Sequence, residues 1–292
     1  MIRLGLIGHP VAQSLSPAIH RAALAACGVE GDYTLFRVAP NEQAVLHELC
    51  DRMRAGDILG LNVTIPHKRT IVALLDALTP TATAVGAVNT IFREGGNLVG
   101  DNTDVEGFRF ALERFLHAHG RQAAASGAAL VLGAGGAARA AVYALVTSGW
   151  EVTVVARRVA QARQLGRDLA ERDVHGVDFA DLRNAVSERL AGCALIVNAT
   201  PVGAPPGADE SPWPADLPFP QHAALYDVVY APSVTRLVRD ARAAGLPAVT
   251  GLGMLIEQAL LSFERWTGYT PPRDAIDTAV RHQLEVVPCS DF

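Results

Sequence analysis

Short apolar bursts alternate with stretches of helical period along the first third of the chain. Ile2 to Ile7 reads as a buried strand ended by Gly8 and Pro10, and Pro17, at a first-turn position, opens a helix to about Cys27. Tyr33 to Val38 predicts a second strand, Asn41 to Met53 a helix and Ile58 to Ile65 a third strand, which Pro66 stops. From Lys68 a helical pattern continues through Ile71, Val72, Leu74 and Leu75. This alternation is that of a parallel sheet with crossover helices. Next come Gly86 to Thr90 (GAVNT), Ile91 and Phe92, a turn at Gly95 and Gly96, and the polar-ended run Leu98 to Asp104. Phe108, Ala111, Leu112 and Phe115 give Val105 to His119 the spacing of an amphipathic helix, after which HGRQAAASG reads as a linker.

The pattern then restarts. Ala128 to Leu132 is wholly apolar and leads into Gly133, Ala134, Gly135, Gly136, Ala137 and Ala138, a helical stretch to Ser148 and a further strand, Glu151 to Val155. A GxGxxA string between a strand and a helix is the fingerprint of a dinucleotide site: the glycines let the backbone approach a pyrophosphate at the helix amino terminus. The competing reading is a structural glycine-rich turn. At the end of the second strand an NAD site carries an acid for the ribose 2′-hydroxyl, whereas cations there suit a 2′-phosphate. The chain has Ala156, Arg157 and Arg158, and no acid between Glu151 and Asp168, so NADP is expected. Ala194 to Thr200 predicts another buried strand, and Pro201 to Gln221, with seven prolines, a long surface loop. Leu225 to Val229 reads as a strand ending at Tyr230 and Pro232, Thr235 to Ala244 as a helix and Ala248 to Thr250 as a last strand. A helix opening after Gly253 sets Leu255, Gln258, Ala259 and Ser262 near one face, where a glutamine needs a partner unless it turns to solvent beside Glu257.

With 292 residues, half of them hydrophobic and 19% charged, the chain is long enough for about two soluble globular domains. A net charge of -5 speaks against a nucleic-acid partner. Cys27, Cys50, Cys193 and Cys289 are scattered, without zinc-ligand spacing, so neither a metal nor a disulfide framework is expected. No apolar run reaches a membrane span, and MIRLGLIG lacks the apolar core of a signal peptide; a cytoplasmic protein is expected.

Among 25 basic residues Lys68 is the only lysine. An ammonium can release its proton near working pH and a guanidinium cannot, which makes Lys68 the first candidate for acid/base chemistry. It sits at a strand-to-helix junction, where open α/β sheets bind ligands. Ser14 and Ser16 flank one residue ahead of a helix start, suiting a carboxylate or phosphate site, or else Ser16 caps the helix. Asn89, and the cluster Asn102, Thr103 and Asp104, suggest with Lys68 a polar pocket. His9, His20, His67, His117 and His119 form no constellation and are read as satisfied or solvated.

GHPVAQSLSPAIH, NVTIPHK, GAVNT, GDNTD, GAGGAA, the NAT-P-VG segment and GLGMLIEQA stand in an order and spacing that resemble the shikimate dehydrogenase family over nearly the whole chain. The resemblance implies an α/β protein of two domains with an active-site cleft between them. Residues 1–104 and 251–292 would form the substrate domain, with a mainly parallel sheet and returning carboxy-terminal helices; residues 105–250 would form a Rossmann-type NADP-binding domain. It assigns Ser14 and Ser16 to the substrate carboxylate, and Thr64, Lys68, Asn89, Asp104 and Gln258 to the ring hydroxyls, with Lys68 and Asp104 as the catalytic pair and Tyr230 as a further substrate contact. The cofactor set implied is the loop Gly133 to Ala138 with Arg157, Arg158, Thr200, Val228, Gly251 and Met254. The implied reaction is the reversible NADP-dependent reduction of 3-dehydroshikimate to shikimate in aromatic amino acid biosynthesis, by a monomer or homodimer.

Two positions depart from the family pattern. Its Asn-Arg-Thr and later Arg are here Ala156, Arg157, Arg158 and Gln161, and Val105 and Glu106 stand before Gly107 after GDNTD. Strictness for NADP over NAD is left open. A paralogue acting on quinate would be marked by Thr in the paired-serine motif or Asp after the cofactor strand, and neither is present. A non-catalytic NADP-binding sensor would be expected to lack Lys68 or Asp104.

Overall fold

A computed structural model describes residues 1–121, 127–169, 174–184 and 192–286. Among the described residues the chain divides into two compact units, one of Met1–Thr103 with residues 256–286, the other of Asp104–Leu255.

The first unit is built on six strands: β1 (Ile2–Gly8), β2 (Gly31–Arg37), β3 (Gly60–Val63), β4 (Ala77–Leu78), β5 (Thr90–Glu94) and β6 (Asn97–Asp101). Their order is β2-β1-β3-β5-β6-β4. The pairs β1/β2, β1/β3 and β4/β6 are parallel, and β5 is antiparallel to β3 and β6. Helices α1 (Ser16–Ala26), α2 (Gln43–Arg54) and α3 (Pro80–Val85) belong to it, as does α9 (Arg273–Val286). Its core collects the apolar positions that alternate with helical period: Ile7, Leu46, Met53, Leu61, Ile71 and Ile91 are among those fully shielded.

The helix expected from Lys68 is instead a 3-10 turn, Thr70–Leu74, preceded by turns. Only Ile71 is buried there, so there is too little apolar surface to support a longer helix. Two elements escaped the pattern, β4 and α3. The signal for α3 was present: Thr79 accepts the Ala82 N–H as an N-cap, Pro80 follows, and Gly86 ends the helix at φ +66°.

The second unit holds β7 (Ala128–Leu132), β8 (Glu151–Ala156), β9 (Val174–Asp178), β10 (Cys193–Asn198), β11 (Ala224–Asp227) and β12 (Ala248–Thr250). The order is β12-β11-β10-β7-β8-β9, with every pair parallel. Read from β9, this is the 3-2-1-4-5-6 arrangement of doubly wound dinucleotide folds, and its switch point lies between β7 and β10. Helices α4 (Asp104–Ala118), α5 (Gly136–Thr147), α6 (Val159–Asp168) and α7 (Arg236–Ala243) complete it. The strand β9 was not expected from the sequence; it is half-buried throughout and has no apolar run.

The stretch Pro201–Gln221 carries no helix or strand, yet it is anchored. Trp213 is buried, stacks on Phe219 at 4.9 Å and donates its indole N–H to the Leu217 carbonyl at 2.8 Å. The helix α8 (Leu252–Thr267) contains the second division. Asp104 and Gly251–Leu255, expected with the substrate domain, fall in the second unit. Gly251 donates to the Val229 carbonyl at 3.0 Å and Met254 N–H to the Tyr226 hydroxyl at 3.2 Å, which ties that segment to β11. The expected linker HGRQAAASG lies partly outside the described residues, as does Cys289.

Candidate active site

The carboxyl edge of the first sheet gathers the candidate substrate residues. Ile7 pairs with Val63 and Asn62 with Thr90, while Thr90 faces Asp101 across β5 and β6. The ends of β1, β3 and β6 and the start of β5 therefore share one edge, and the segments that carry Ser14, Ser16, Thr64, Lys68 and Asn89 leave from it.

Ser14 Oγ donates to Ser16 Oγ at 3.1 Å and accepts the Ser16 main-chain N–H at 3.2 Å. Ser16 does not cap α1: the N-cap position is Leu15, without a side-chain bond. The paired hydroxyls are thus left to bind something other than their own helix. A Cβ on Gly8 would collide with the Thr64 methyl, so the close approach of β1 to Thr64 requires glycine there.

Lys68 is half-buried, and its main-chain carbonyl accepts the Val88 N–H at 2.7 Å. The preceding residue, His67, is buried with Nε2 2.7 Å from the Val38 carbonyl. These bonds hold the lysine loop against the end of β2 on one side and against the Asn89 segment on the other.

Asn89 stands in a buried polar network. Its Oδ1 accepts the Thr103 N–H at 2.8 Å and the Thr90 hydroxyl at 3.0 Å, and its Nδ2 donates to Thr103 Oγ1 at 2.9 Å and Gln258 Oε1 at 3.4 Å. Gln258 is buried, in contrast to a solvent-facing glutamine, and so is Glu257, which pairs with Arg273. The network extends through Asn62, which accepts the Tyr33 hydroxyl at 2.8 Å and donates to the Asn89 carbonyl and to Ser262 Oγ, both at 3.1 Å. Sequence reasoning gave Asn62 no role; its polar character inside a buried four-residue strand was the available signal.

His20 lies beneath this network, fully buried and stacked on Tyr33 at 4.3 Å. Neither ring nitrogen has a hydrogen-bond partner of regular geometry. Burial lowers its pKa to about 3, against a smaller upward pull from Asn62.

In the second unit the glycine loop joins β7 to α5, whose N-cap is Gly135 and whose first residue is Gly136. Gly133 has φ +109°, and a Cβ there would lie 2.9 Å from the Ala199 carbonyl oxygen and 3.2 Å from the Thr200 methyl. Gly135 is exposed, Gly136 and Ala137 half-buried and Ala138 buried. A cradle closed to side chains, beside an open helix amino terminus at the switch point of a doubly wound sheet, fits the pyrophosphate of a dinucleotide. Arg157 and Arg158 are exposed at the end of β8, without an acid beside them on that strand end. Thr200, Val228 and Tyr230 are half-buried beyond the ends of β10 and β11, and Gly251 and Met254 are buried after β12. Asp104 is buried at the first position of α4, next in the chain to Thr103.

Sequence reasoning missed Arg139, which is buried on α5 and paired with Asp168 at 2.9 Å, and Asp227 with its partners Asn198 and Thr235. Among the described residues no group of three or more His, Cys, Asp or Glu could hold a metal ion, and no helix is long and apolar enough to cross a membrane.

Comparison with known proteins places the chain among relatives of one family. Residues 6–91 match the shikimate dehydrogenase substrate binding domain, and residues 251–281 match the shikimate 5′-dehydrogenase C-terminal domain. The shikimate dehydrogenase (NADP(+)) of Salinibacter ruber is 43% identical over 279 residues, 94% of this chain and 95% of its own. That of Symbiobacterium thermophilum is also 43% identical, over 98% of this chain and 95% of its own. The chain belongs to the shikimate dehydrogenase family. A crystal structure of the shikimate 5-dehydrogenase of Thermus thermophilus, in complex with NADP(H) and shikimate, is similar with a TM-score of 0.82 and 40% identity, covering 97% of this chain and all of that one (100%). The first shikimate dehydrogenase match spans Ser14, Ser16, Thr64, Lys68 and Asn89, and the second spans Gly251, Met254 and Gln258.

Proposed function

We propose that this protein catalyses the reversible NADP-dependent reduction of 3-dehydroshikimate to shikimate, a step of aromatic amino acid biosynthesis. The observation that carries the reading is the convergence of Ser14, Ser16, Thr64, Lys68, Asn89 and Gln258 on one sheet edge and the helix that reaches it, in a chain whose relatives bear this activity. The paired serines take the substrate carboxylate, and Thr64, Asn89 and Gln258 take the ring hydroxyls. Asn89 is suited to this because Thr103, Thr90 and Gln258 fix its amide plane in advance. Tyr230 is assigned a further substrate contact.

Bound NADPH supplies a hydride to the carbonyl carbon. The Lys68 ammonium gives a proton to the carbonyl oxygen as it becomes the hydroxyl, and takes one back when shikimate is oxidised. Asp104 is the proposed carboxylate partner of Lys68 and of a substrate hydroxyl. In the second unit the loop Gly133 to Ala138 receives the pyrophosphate, Arg157 and Arg158 the 2′-phosphate, and Thr200, Val228, Gly251 and Met254 the remainder of the cofactor. The ligands are small molecules, and a cytoplasmic location and a monomer or homodimer accord with this role.

Initial rates, followed by nicotinamide absorbance with shikimate and quinate each crossed with NADP and NAD, test the reading. Turnover confined largely to shikimate with NADP is expected. Ready turnover of quinate or use of NAD would place the protein with the quinate-type paralogues, and silence in all four combinations would leave a non-catalytic NADP binder.

A further inference from the structure

Asp227 is fully buried at the carboxyl end of β11 and has no part in the reaction above. Three donors converge on its carboxylate. Asn198 Nδ2 reaches Oδ1 at 2.8 Å, the Val229 N–H reaches the same oxygen at 3.1 Å, and the Thr235 hydroxyl reaches Oδ2 at 2.6 Å. Burial raises the Asp227 pKa to about 6, while these three bonds pull it down.

Two of the three donors lead to the cofactor set. Asn198 Oδ1 accepts the Thr200 N–H at 3.0 Å and the Thr200 hydroxyl at 2.7 Å, and the Asn198 carbonyl accepts the Val228 N–H at 2.8 Å. The Val229 carbonyl accepts the Gly251 N–H at 3.0 Å, and a Cβ on Gly251 would collide with the Val228 carbonyl. One carboxylate thus ties together the ends of β10, β11 and β12.

Strand order says which half of the cofactor meets this cluster. Arg157 and Arg158 end β8, on one side of β7; the ends of β10 and β11 lie on the other. A dinucleotide with its 2′-phosphate at the arginines and its pyrophosphate at the β7 loop extends its nicotinamide half over β10 and β11. We propose that Asp227 is a positioning residue, holding the Thr200, Val228 and Gly251 backbone in the arrangement that receives the nicotinamide half of the cofactor. The proposal rests on the NADP reading of this unit.

Calorimetric titration with NADPH and with adenosine 2′,5′-bisphosphate, which carries the adenosine half alone, separates the possibilities. Asp227→Ala leaves three buried donors without their acceptor, and its NADPH affinity is expected to fall about tenfold or more. Affinity for the bisphosphate is expected to stay within about twofold, a selectivity that general loosening of the unit would not produce. Asp227→Asn keeps an acceptor for Asn198 and Val229 and can donate to the Thr235 hydroxyl, so it is expected to recover most NADPH binding. Should Asp227→Ala not fold, Thr235→Val is expected to show the same selective loss and Thr235→Ser to restore affinity. Equal loss of both ligands, or NADPH affinity unchanged in the folded variant, would overturn the proposal. If the unsubstituted chain binds neither ligand, the NADP reading falls and the proposal with it; the pattern among the variants bears on Asp227 alone.

Discussion

Lys68 shows how much chemistry a single position can announce. A chain that writes arginine elsewhere keeps one ammonium, at a loop held by the Val88 N–H and by His67 on Val38. Arginine at that position retains the charge and cannot exchange a proton at working pH. Lys68→Arg is therefore expected to lower kcat about 10²- to 10⁴-fold while shikimate still binds, read by initial rates and calorimetry; near-normal turnover would end the acid/base role. His20 carries a different prediction. Its folded pKa of about 3 lies below the ordinary histidine value of 6.5, so the unfolded chain binds the extra proton between these values. The stabilisation is complete above about 6.5 and is lost progressively as pH falls, at roughly 1.4 kcal/mol per pH unit. In His20→Phe, which keeps the stack on Tyr33, urea unfolding should lack this slope, and equal slopes for the two proteins between pH 4.5 and 6.5 would refute it. Motif residues were legible because their types and spacing are unusual. Asp227 was not, and neither were the partners of Asn62 within its motif, because a polar residue in a strand reveals its partners only once the strands are side by side.

At the scale of elements, hydrophobic period located most of the strands and the longer helices, while short or edge elements escaped. The edge strand β9 buries too little apolar surface to leave a periodic signature, whereas Thr70–Leu74 has the apolar spacing of a helix but buries only Ile71 and stays a 3-10 turn. The proline-rich stretch after β10 reads as a loop from composition and is one, but its composition says nothing of its anchorage. Trp213 packs with Phe219 and Leu217 against the core under β10 and β11, which anchors that part of the loop to the unit's interior. Trp213→Ala is expected to destabilise the second unit by about 3–5 kcal/mol, seen as a lowered urea midpoint for that unit. A change below about 1 kcal/mol would show that the ring is a surface feature.

For the whole molecule, the α/β alternation and the restart of the pattern near Ala128 made two units legible, whereas the positions of division were not. Asp104 and Gly251–Leu255 joined the second unit through main-chain bonds to β11 and through membership of α4, details below the resolution of a periodicity argument. Because each unit has its own core, a ligand of one should protect that one by mass action. Hydrogen exchange read by mass spectrometry is expected to slow at β3, β5 and α8 with shikimate alone, and at β7 and α5 with adenosine 2′,5′-bisphosphate alone. Protection in the opposite units would reverse their assignment.

The network around Asn89 also sets an order on synthesis. Thr103 must wait for Ser262, 159 positions further on, and Asn62 must wait 200 positions for the same hydroxyl. At roughly 5–20 residues per second the ribosome needs on the order of ten seconds to bridge the shorter gap. During that interval all six strands of the first unit, Ile2 to Asp101, have left the tunnel while the polar groups that α8 will meet are still hydrated. The part of the protein translated earliest is therefore finished last, and a nascent chain stalled before Ser262 exposes a full set of strands whose polar network still lacks its α8 partner.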